Sequence, residues 1–212
     1  MRLKNVKGAK EKIESSSYLL LNPEEYKGHF HDVFENEHPL HIEIGMGKGN
    51  FIIENAKRYP EINFIGIEKF DSVIVRAIDK LQDIDLPNLR LIRMDASHIE
   101  NVFDHEVDTI YLNFSDPWPK NRHEERRLTS TPFLTRYDSL FRGDYRIKMK
   151  TDNRKLFEYS LISFTNYGYE LSKLSLNLYE DELIKDNIAT EYESKFVSLG
   201  KPIYFVEVTK KK

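Results

Sequence analysis

The most unusual stretch of the chain places a carboxylate and an indole ring between two prolines. Residues 113–120 have the sequence NFSDPWPK, and Trp118 is the only tryptophan of the chain. Proline fixes its own backbone and restricts the residue before it, so this stretch should form a stiff loop that presents Asp116 and Trp118 together. Such a loop could stack an unpaired base on the ring and face the base edge with the carboxylate. The other interpretation is a capping turn whose tryptophan packs into the core.

A glycine-rich turn lies upstream, with an acid two residues before it. Gly45, Gly47 and Gly49 alternate with other residues, and Glu43 precedes them. The third glycine comes one residue too early for the dinucleotide pattern GxGxxG, and the spacing GxxxxGK[ST] of a Walker loop is absent. The pattern therefore favours an adenosyl ligand without a pyrophosphate, and the cationic end of S-adenosylmethionine suits Glu43. On the glycines alone, an ordinary strand-to-helix turn fits at least as well.

Two further acids stand at the ends of the next two predicted strands. Glu68 lies where an acid can hold both hydroxyls of a ribose, and Asp95 is placed to accept from an adenine amino group. Each of them alone would fit a solvated residue at a strand end. Together with Glu43 and Asp116 beside one glycine loop, they favour an adenosyl-binding site.

Basic residues follow the proline loop directly. Residues 120–127, with the sequence KNRHEERR, carry four fixed positive charges and two negative ones. A second basic set surrounds the fifth predicted strand and consists of Arg142, Arg146, Lys148, Lys150, Arg154 and Lys155. Residues 1–15 are basic and polar as well. Charge runs usually form solvated faces, but these segments could also form a track for a folded RNA.

The pattern of apolar residues predicts the scaffold that positions these groups. Predicted strands cover 40–44, 62–67, 89–94, 107–114, 145–149, 169–176 and 202–208, and predicted helices cover 50–59, 70–84, 97–102, 131–141, 153–167 and 191–197. The repeated strand–helix–strand order indicates a doubly wound, Rossmann-like α/β sheet of about seven strands, mostly parallel. The last two strands have no crossover helix of usual length, which predicts an antiparallel C-terminal ending. In such sheets, ligands bind at the carboxyl ends of the strands.

The composition of the chain excludes several kinds of site and indicates where the protein works. The chain has no cysteine, which excludes disulfides and thiol nucleophiles, and its seven histidines are scattered, so we assign no metal site. No apolar run approaches the ~18 residues that span a bilayer, and the N-terminus lacks a signal-peptide pattern. We therefore expect a cytoplasmic protein with one domain, residues 1–212, in which residues 1–15 form a basic arm. The net charge of -3 means that an anionic partner must meet local basic patches.

Over most of its length the chain resembles the bacterial tRNA (guanine-N7)-methyltransferases, which are class I enzymes that use S-adenosylmethionine. The resemblance lies in Arg2 with residues 8–9, in the glycine loop with Glu43, and in residues 66–68 (GIE), 113–123 (NFSDPWPKNRH), 150–153 (KTDN) and 190–193 (TEYE). Methyltransferases in general share the glycine loop. The DPWPK and TEYE segments are much more restricted.

The resemblance implies transfer of a methyl group to N7 of a guanine in the variable loop of tRNA, at position 46, leaving S-adenosylhomocysteine. It implies that the cofactor is contacted by Glu43, Glu68, Asp95 and Asp116 beside Gly45, Gly47 and Gly49. It implies that the target nucleotide is contacted by Lys120, Asp152, Thr190, Glu191, Tyr192 and Glu193. It also implies that Arg122, His123, Arg126 and Arg127 lie against RNA.

The chemistry of N7 decides what Asp116 would do. This nitrogen already exposes a lone pair, so Asp116 is expected to stabilise the positive charge that moves onto the purine instead of removing a proton. One alternative is a methyltransferase of the same fold that acts on a protein or a small molecule, and the basic segments argue against it. A methyltransferase that acts on another RNA position stays open. Another is an RNA-binding module without catalysis, which has no reason to surround one pocket with four acids. A monomer and a homodimer fit equally well.

Overall fold

The predicted strands and helices fold into one mixed sheet with helices on both faces. The computed structural model describes residues 8–212. The strands are β1 (Leu19–Leu20), β2 (Leu40–Ile44), β3 (Asn63–Glu68), β4 (Leu89–Arg93), β5 (Val107–Asn113), β6 (Tyr145–Thr151), β7 (Glu170–Ser175) and β8 (Tyr204–Lys210). The α-helices are α1 (Ala9–Glu14), α2 (Phe30–Phe34), α3 (Asn50–Arg58), α4 (Asp71–Leu81), α5 (Thr131–Asp138), α6 (Arg154–Asn166) and α7 (Glu191–Val197). Short 3-10 helices cover Pro23–Tyr26, Ala96–Asn101, Asn121–Arg126, Leu178–Glu180 and Glu182–Asp186.

The order of the strands confirms the predicted doubly wound sheet. It runs β1-β4-β3-β2-β5-β6-β8-β7, with parallel pairing from β1 to β6. The chain winds from β2 outward through β3 and β4, then returns to place β5 on the other side of β2. A crevice therefore opens at the carboxyl ends of β2 and β5, where doubly wound sheets bind ligands.

The sheet has one strand more than the predicted seven. The additional strand, β1, has only two residues, and it pairs with β4 at the edge of the sheet through Leu19 and Leu91. Two residues are too short to show a period-two pattern, so this strand depends on the neighbour that it meets in the fold.

The predicted antiparallel ending of the sheet is confirmed, but the last strand does not lie at the edge of the sheet. β8 pairs antiparallel with both β6 and β7 and therefore lies between them. The chain from 176 to 203 crosses from β7 over the carboxyl end of the sheet before β8 returns. This crossing carries α7, which brings the predicted TEYE segment to the crevice.

The side chains of β2 separate the two cores of the sheet. Ile42 and Ile44 belong to the core shared with α5 and α6, whereas Phe51 and Tyr111 belong to the core shared with α3 and α4. Because side chains of a strand alternate between faces, Glu43 points to the face of Tyr111. No helix of the described residues has the length and hydropathy needed to cross a membrane.

Part of the predicted N-terminal arm is a packed helix. In α1, Ile13 is fully buried, and the ammonium of Lys12 lies 2.6 Å from the carboxylate of Asp79 on α4. Residues 1–7 of the arm lie outside the described residues. One buried isoleucine anchors this helix, and a single apolar side chain in a charged segment gives no periodicity to detect.

Candidate active site

The glycine loop joins β2 to α3 in a conformation that other residues rarely adopt. Gly45, Gly47 and Gly49 all have positive φ, at 78°, 57° and 77°. A Cβ atom on Gly49 would lie 2.8 Å from the Cβ atom of Ala77 on α4. The third glycine is therefore required both by its φ and by the close approach of the neighbouring helix.

A cavity of about 670 Å³ opens beside this loop at the carboxyl ends of β2 to β5. Its walls include Gly45, Glu68, Asp95 and Asp116, with Phe70, Trp118, Arg126 and Phe133. The volume lies in the range of roughly 300–1,000 Å³ that is usual for small-molecule sites. The structure thus brings three of the four predicted acids to one cavity.

Glu68 and Asp95 are held in place by backbone N–H groups. One oxygen of Glu68 accepts from the N–H groups of Lys69 and Phe70 at 2.8 and 3.2 Å, and the other accepts from Gly47 at 3.2 Å. Burial raises the pKa of the Glu68 carboxyl, and these hydrogen bonds oppose the rise. Asp95 accepts from the N–H of Ser97 at 3.0 Å, which lowers its pKa.

Glu43 does not line this cavity. It is buried on the other face of β2, where Asn113 donates a hydrogen bond to its Oε1 at 2.8 Å. Within residues 8–212, nothing donates a hydrogen bond to its Oε2. Burial raises the pKa of Glu43 to about 7, although the bond from Asn113 and the charge of Lys150 oppose the rise. Glu43 is therefore separated from the other three predicted acids, and its unpaired oxygen has no surface that a ligand could reach.

Asp116 lies in a loop with a strained backbone. Phe114 and Trp118, two residues to either side, have positive φ of 52° and 39°. Strain of this kind clusters at functional sites, where the surrounding structure must hold it. Trp118 lies at the cavity and is only partly buried, so the interpretation of a core tryptophan is wrong.

The predicted RNA-binding residues form a short 3-10 helix after this loop. Lys120 and Arg122 are exposed, and Arg122 donates to the ring of His123 at 3.4 Å. The guanidinium of Arg126 lies over the Trp118 ring, 4.9 Å from its centroid, and the His123 ring meets the same indole at 5.7 Å. Arg127 instead turns inward against the loop. Only some of these cations therefore face solvent.

Helix α7 carries the TEYE segment to the Asp116 loop. Thr190 and Glu193 form a capping box, in which each side chain accepts from the backbone N–H of the other residue. The Tyr192 ring lies 5.1 Å from the Phe114 ring, and Tyr192 remains 46% exposed. A flat, accessible aromatic surface thus contacts the residue that lies two positions before Asp116.

Glu193 is fully buried, and Lys150 at the end of β6 holds it. The ammonium of Lys150 donates to Glu193 at 2.6 Å, and to Asn187 and the carbonyl of Ile188 at 2.9 Å each. Asn187 and Tyr179 donate to the other carboxylate oxygen at 2.7 and 3.2 Å. Burial lowers the pKa of Lys150, and Glu193 opposes this effect. The pair fastens the segment before α7 to the sheet.

Glu191 contacts the glycine loop and α4. Its carboxylate lies 3.0 Å from the ammonium of Lys48 in the glycine loop and also binds Lys80 on α4. The side chain of Asn50 donates to the carbonyl of Ala189 at 3.2 Å. The TEYE segment is therefore tied directly to the glycine loop.

Asp152 lies at the carboxyl end of β6. It is partly buried, and the ammonium of Lys201 lies 3.8 Å from its carboxylate.

The second basic set is mostly paired with carboxylates. The pairs are Arg142 with Asp108, Arg146 and Lys148 with Glu207, Lys150 with Glu193, and Arg154 with Glu158. The predicted basic track around β6 is thus largely neutralised within the protein. Sequence reasoning missed most of the partners because they come from β8, α7 and β5, far along the chain.

Comparison with known proteins adds independent findings. A family model described as "Putative methyltransferase" matches residues 37–206. The tRNA (guanine-N(7)-)-methyltransferase of Lachnoclostridium phytofermentans is 50% identical over 205 residues, which cover 96% of each chain. The protein of the same name from Geobacillus sp. is 51% identical over 210 residues, covering 98% of this chain and 95% of its own. A solved antibiotic-related methyltransferase shares the fold, with a TM-score of 0.65 at 16% identity, over 87% of this chain and 94% of its own.

Proposed function

Since this chain belongs to the tRNA (guanine-N(7)-)-methyltransferase family, we propose that it transfers the methyl group of S-adenosylmethionine to N7 of a guanine in tRNA. The observation that carries this function is identity of about half of all residues over nearly the whole length of its relatives. The cavity at the carboxyl ends of β2 to β5 supplies a site of suitable size and chemistry. We further propose that the guanine lies in the variable loop, and that the protein works in the cytoplasm with its tRNA substrate.

The cofactor fits the donors and acceptors of the cavity. We assign the ribose hydroxyls to Glu68, whose Oε2 accepts only one hydrogen bond from the described residues, and the adenine edge to Asp95. We place the cationic amino-acid end beside the open backbone of the glycine loop, since Glu43 is buried on the other face of β2 and does not line this cavity. When bound, S-adenosylmethionine supplies an electrophilic methyl group on a positively charged sulfur.

We place the target guanine between the Asp116 loop and α7. Tyr192 offers a partly exposed ring for stacking, and Lys120 and Asp152 stand at the same edge of the sheet. Single-stranded bases are usually recognised by stacking together with hydrogen bonds to their edges. The buried Glu193 would act on this pocket through Lys150 and the backbone of Thr190, since its own oxygens are already engaged.

Asp116 is the residue that we assign to the chemical step. The lone pair of N7 attacks without prior deprotonation, so the enzyme needs no general base. As the carbon–nitrogen bond forms and the carbon–sulfur bond breaks, positive charge appears on the purine. The exposed carboxylate of Asp116 would stabilise that charge, and the walls of the pocket would keep the reacting atoms aligned.

The variant Asp116→Asn tests this role. We expect kcat on unmodified tRNA to fall by on the order of 10²-fold, the usual effect of removing one electrostatic stabiliser, while cofactor affinity stays close to that of the wild type. Asp83→Asn is the matched control, because Asp83 is exposed just after the end of α4 and is not part of the cavity. Methyl transfer is followed with labelled S-adenosylmethionine, and nucleoside analysis must find the label in 7-methylguanosine. Full turnover in the Asp116 variant would remove Asp116 from the chemistry.

A further inference from the structure

The guanidinium of Arg127 binds the backbone of the loop that carries Asp116. Its Nε donates to the carbonyl of Pro117 at 3.2 Å, and its Nη2 donates to the carbonyl of Trp118 at 3.1 Å. Its Cζ lies 4.2 Å from the centroid of the Tyr159 ring on α6. We propose that Arg127 is a positioning residue, which holds the Asp116 loop in its reactive conformation and does not serve as a phosphate contact.

The anchor of Arg127 is itself rigid. Thr129, two residues later, is buried, and its hydroxyl pairs with that of Ser160 on α6 at 2.8 Å. The hydroxyl of Ser163, also on α6, donates to the carbonyl of Thr129 at 2.5 Å. The chain around Arg127 is therefore fixed to α6, and Tyr159 on the same helix supports the guanidinium. Arg127 transmits the position of α6 to the loop.

The loop needs such a support because its backbone is strained. The φ of Trp118 is 39°, in a region that is unfavourable for a residue with a side chain. The carbonyls of Pro117 and Trp118, which lie on either side of the Trp118 Cα atom, both accept from one guanidinium. Planar guanidinium donors fix two acceptors at once, and an ammonium does not reproduce this geometry. Without Arg127, Trp118 can relax toward negative φ and move Asp116, two residues before it.

The neighbouring cations lie differently. Arg122 is exposed and, within residues 8–212, donates only to its neighbour His123. Arg126 is exposed and covers the Trp118 ring. Arg122 therefore offers a matched comparison of the same residue type in the same segment. The inference rests on the proposed function only in assigning the chemical step to Asp116.

The kinetic test compares Arg127→Met with Arg122→Met. For Arg127→Met we expect kcat to fall by about tenfold or more, since displacement of a reacting group by ~1 Å costs on the order of 10²-fold. The dependence of tRNA affinity on salt should keep the slope of the wild type. For Arg122→Met we expect the reverse, with kcat retained, KM for tRNA raised, and the salt slope reduced by about one.

Trp118 gives a readout that needs neither cofactor nor tRNA. It is the only tryptophan of the chain, so tryptophan emission, excited selectively over that of the twelve tyrosines, reports on this loop alone. Arg127→Met should shift its emission and increase quenching by acrylamide, whereas Arg76→Met, at an exposed arginine of α4 that pairs with Asp79, should leave both unchanged. Tyr159→Leu should change emission and kcat in the same direction. The double variant Arg127→Met/Tyr159→Leu should add little, because both residues hold the same loop.

Opposite results would overturn the proposal. If Arg127→Met keeps kcat and Trp118 emission but reduces the salt slope by about one, Arg127 is a phosphate contact. If Arg127→Met does not fold, Arg127→Lys replaces it, and wild-type emission and kcat in that variant would equally refute the role of the guanidinium. The fluorescence result is independent of methylation, so failure of the wild-type protein to methylate tRNA would reject the proposed function alone.

Discussion

Lys150 and Glu193 form a buried ion pair between β6 and α7, and Lys150→Met should leave the carboxylate without its charge partner. The side chains of Lys150 and Glu193 are 5% and 0% exposed, so water cannot replace the lost ammonium. Methionine keeps most of the apolar length of the lysine stem. The variant therefore removes the charge and its three hydrogen bonds while leaving little empty space.

The size of the expected stability loss depends on the hydrogen bonds that Glu193 keeps in the Lys150→Met variant. Asn187 and Tyr179 still donate to one of its oxygens, and the N–H of Thr190 donates to the other at 3.2 Å. These neutral donors offset part of the desolvation of the carboxylate, but not its charge. Breaking a buried pair on one side typically costs about 3–5 kcal/mol, and we expect about 3 kcal/mol here. The total free energy of unfolding of a folded domain is about 5–15 kcal/mol, so this loss is a large part of it.

Urea unfolding followed by circular dichroism measures this loss. The matched comparison is Lys150→Met/Glu193→Gln, in which a neutral amide still accepts from Asn187 and Tyr179. The double variant should regain at least half of the lost stability. Hydrogen exchange at the Glu193 amide, which donates to Thr190 at 2.9 Å, distinguishes local release of α7 from global unfolding. If Lys150→Met costs under about 1 kcal/mol by both measurements, or the double variant costs as much as the single one, the uncompensated charge is not the cause.

Three further predictions concern Glu43, Glu68 and the glycine loop. Between pH 4.5 and about 7 the folded state keeps the Glu43 proton that the unfolded state releases, so the contribution of Glu43 to stability should fall by about 3 kcal/mol as pH rises. The difference in unfolding free energy between the wild type and Glu43→Gln should change by this amount over that range, and parallel curves would refute it. Glu68→Ala should weaken binding of S-adenosylmethionine in calorimetry, and unchanged affinity would remove Glu68 from the site. Gly49→Ala should lower stability by on the order of 1–3 kcal/mol, whereas Gly143→Ala, whose Cβ meets open space, should unfold like the wild type.

The fold was predictable where periodicity is long. The pattern of Asp71–Leu81 has apolar residues on one helical face, and the predicted helix 70–84 overlaps it fully. The helix ends at Leu81, before the predicted residue 84, because residues 82–86 turn toward β4. β1 and the insertion of β8 between β6 and β7 were not predictable, since both depend on which edge of the sheet is free after the other strands have paired.

The sequence by itself determined which residue types stand at the strand ends. Strand ends are local features, so the sequence pattern alone predicts that Glu68, Asp95 and Asp116 lie together, and they do line one cavity. The alternation of side chains along a strand is also a local feature. Which face of the sheet borders the cavity is decided by the whole fold, and Glu43 lies on the other face, against the expectation that it shares a site with these acids.

Only the tertiary structure decided what the charged residues of this site do. Arg127 turns toward loop carbonyls, Lys150 is buried against Glu193, and Lys48 binds Glu191, although these three cations look alike in a charge count. The sequence does not show which partner a charged side chain will contact, because the free energy of each contact depends on burial and on residues that are distant in the chain. The gathering of Glu68, Asp95 and Asp116 at one edge of the sheet therefore follows from the sequence pattern, whereas the roles of the cations follow from the fold.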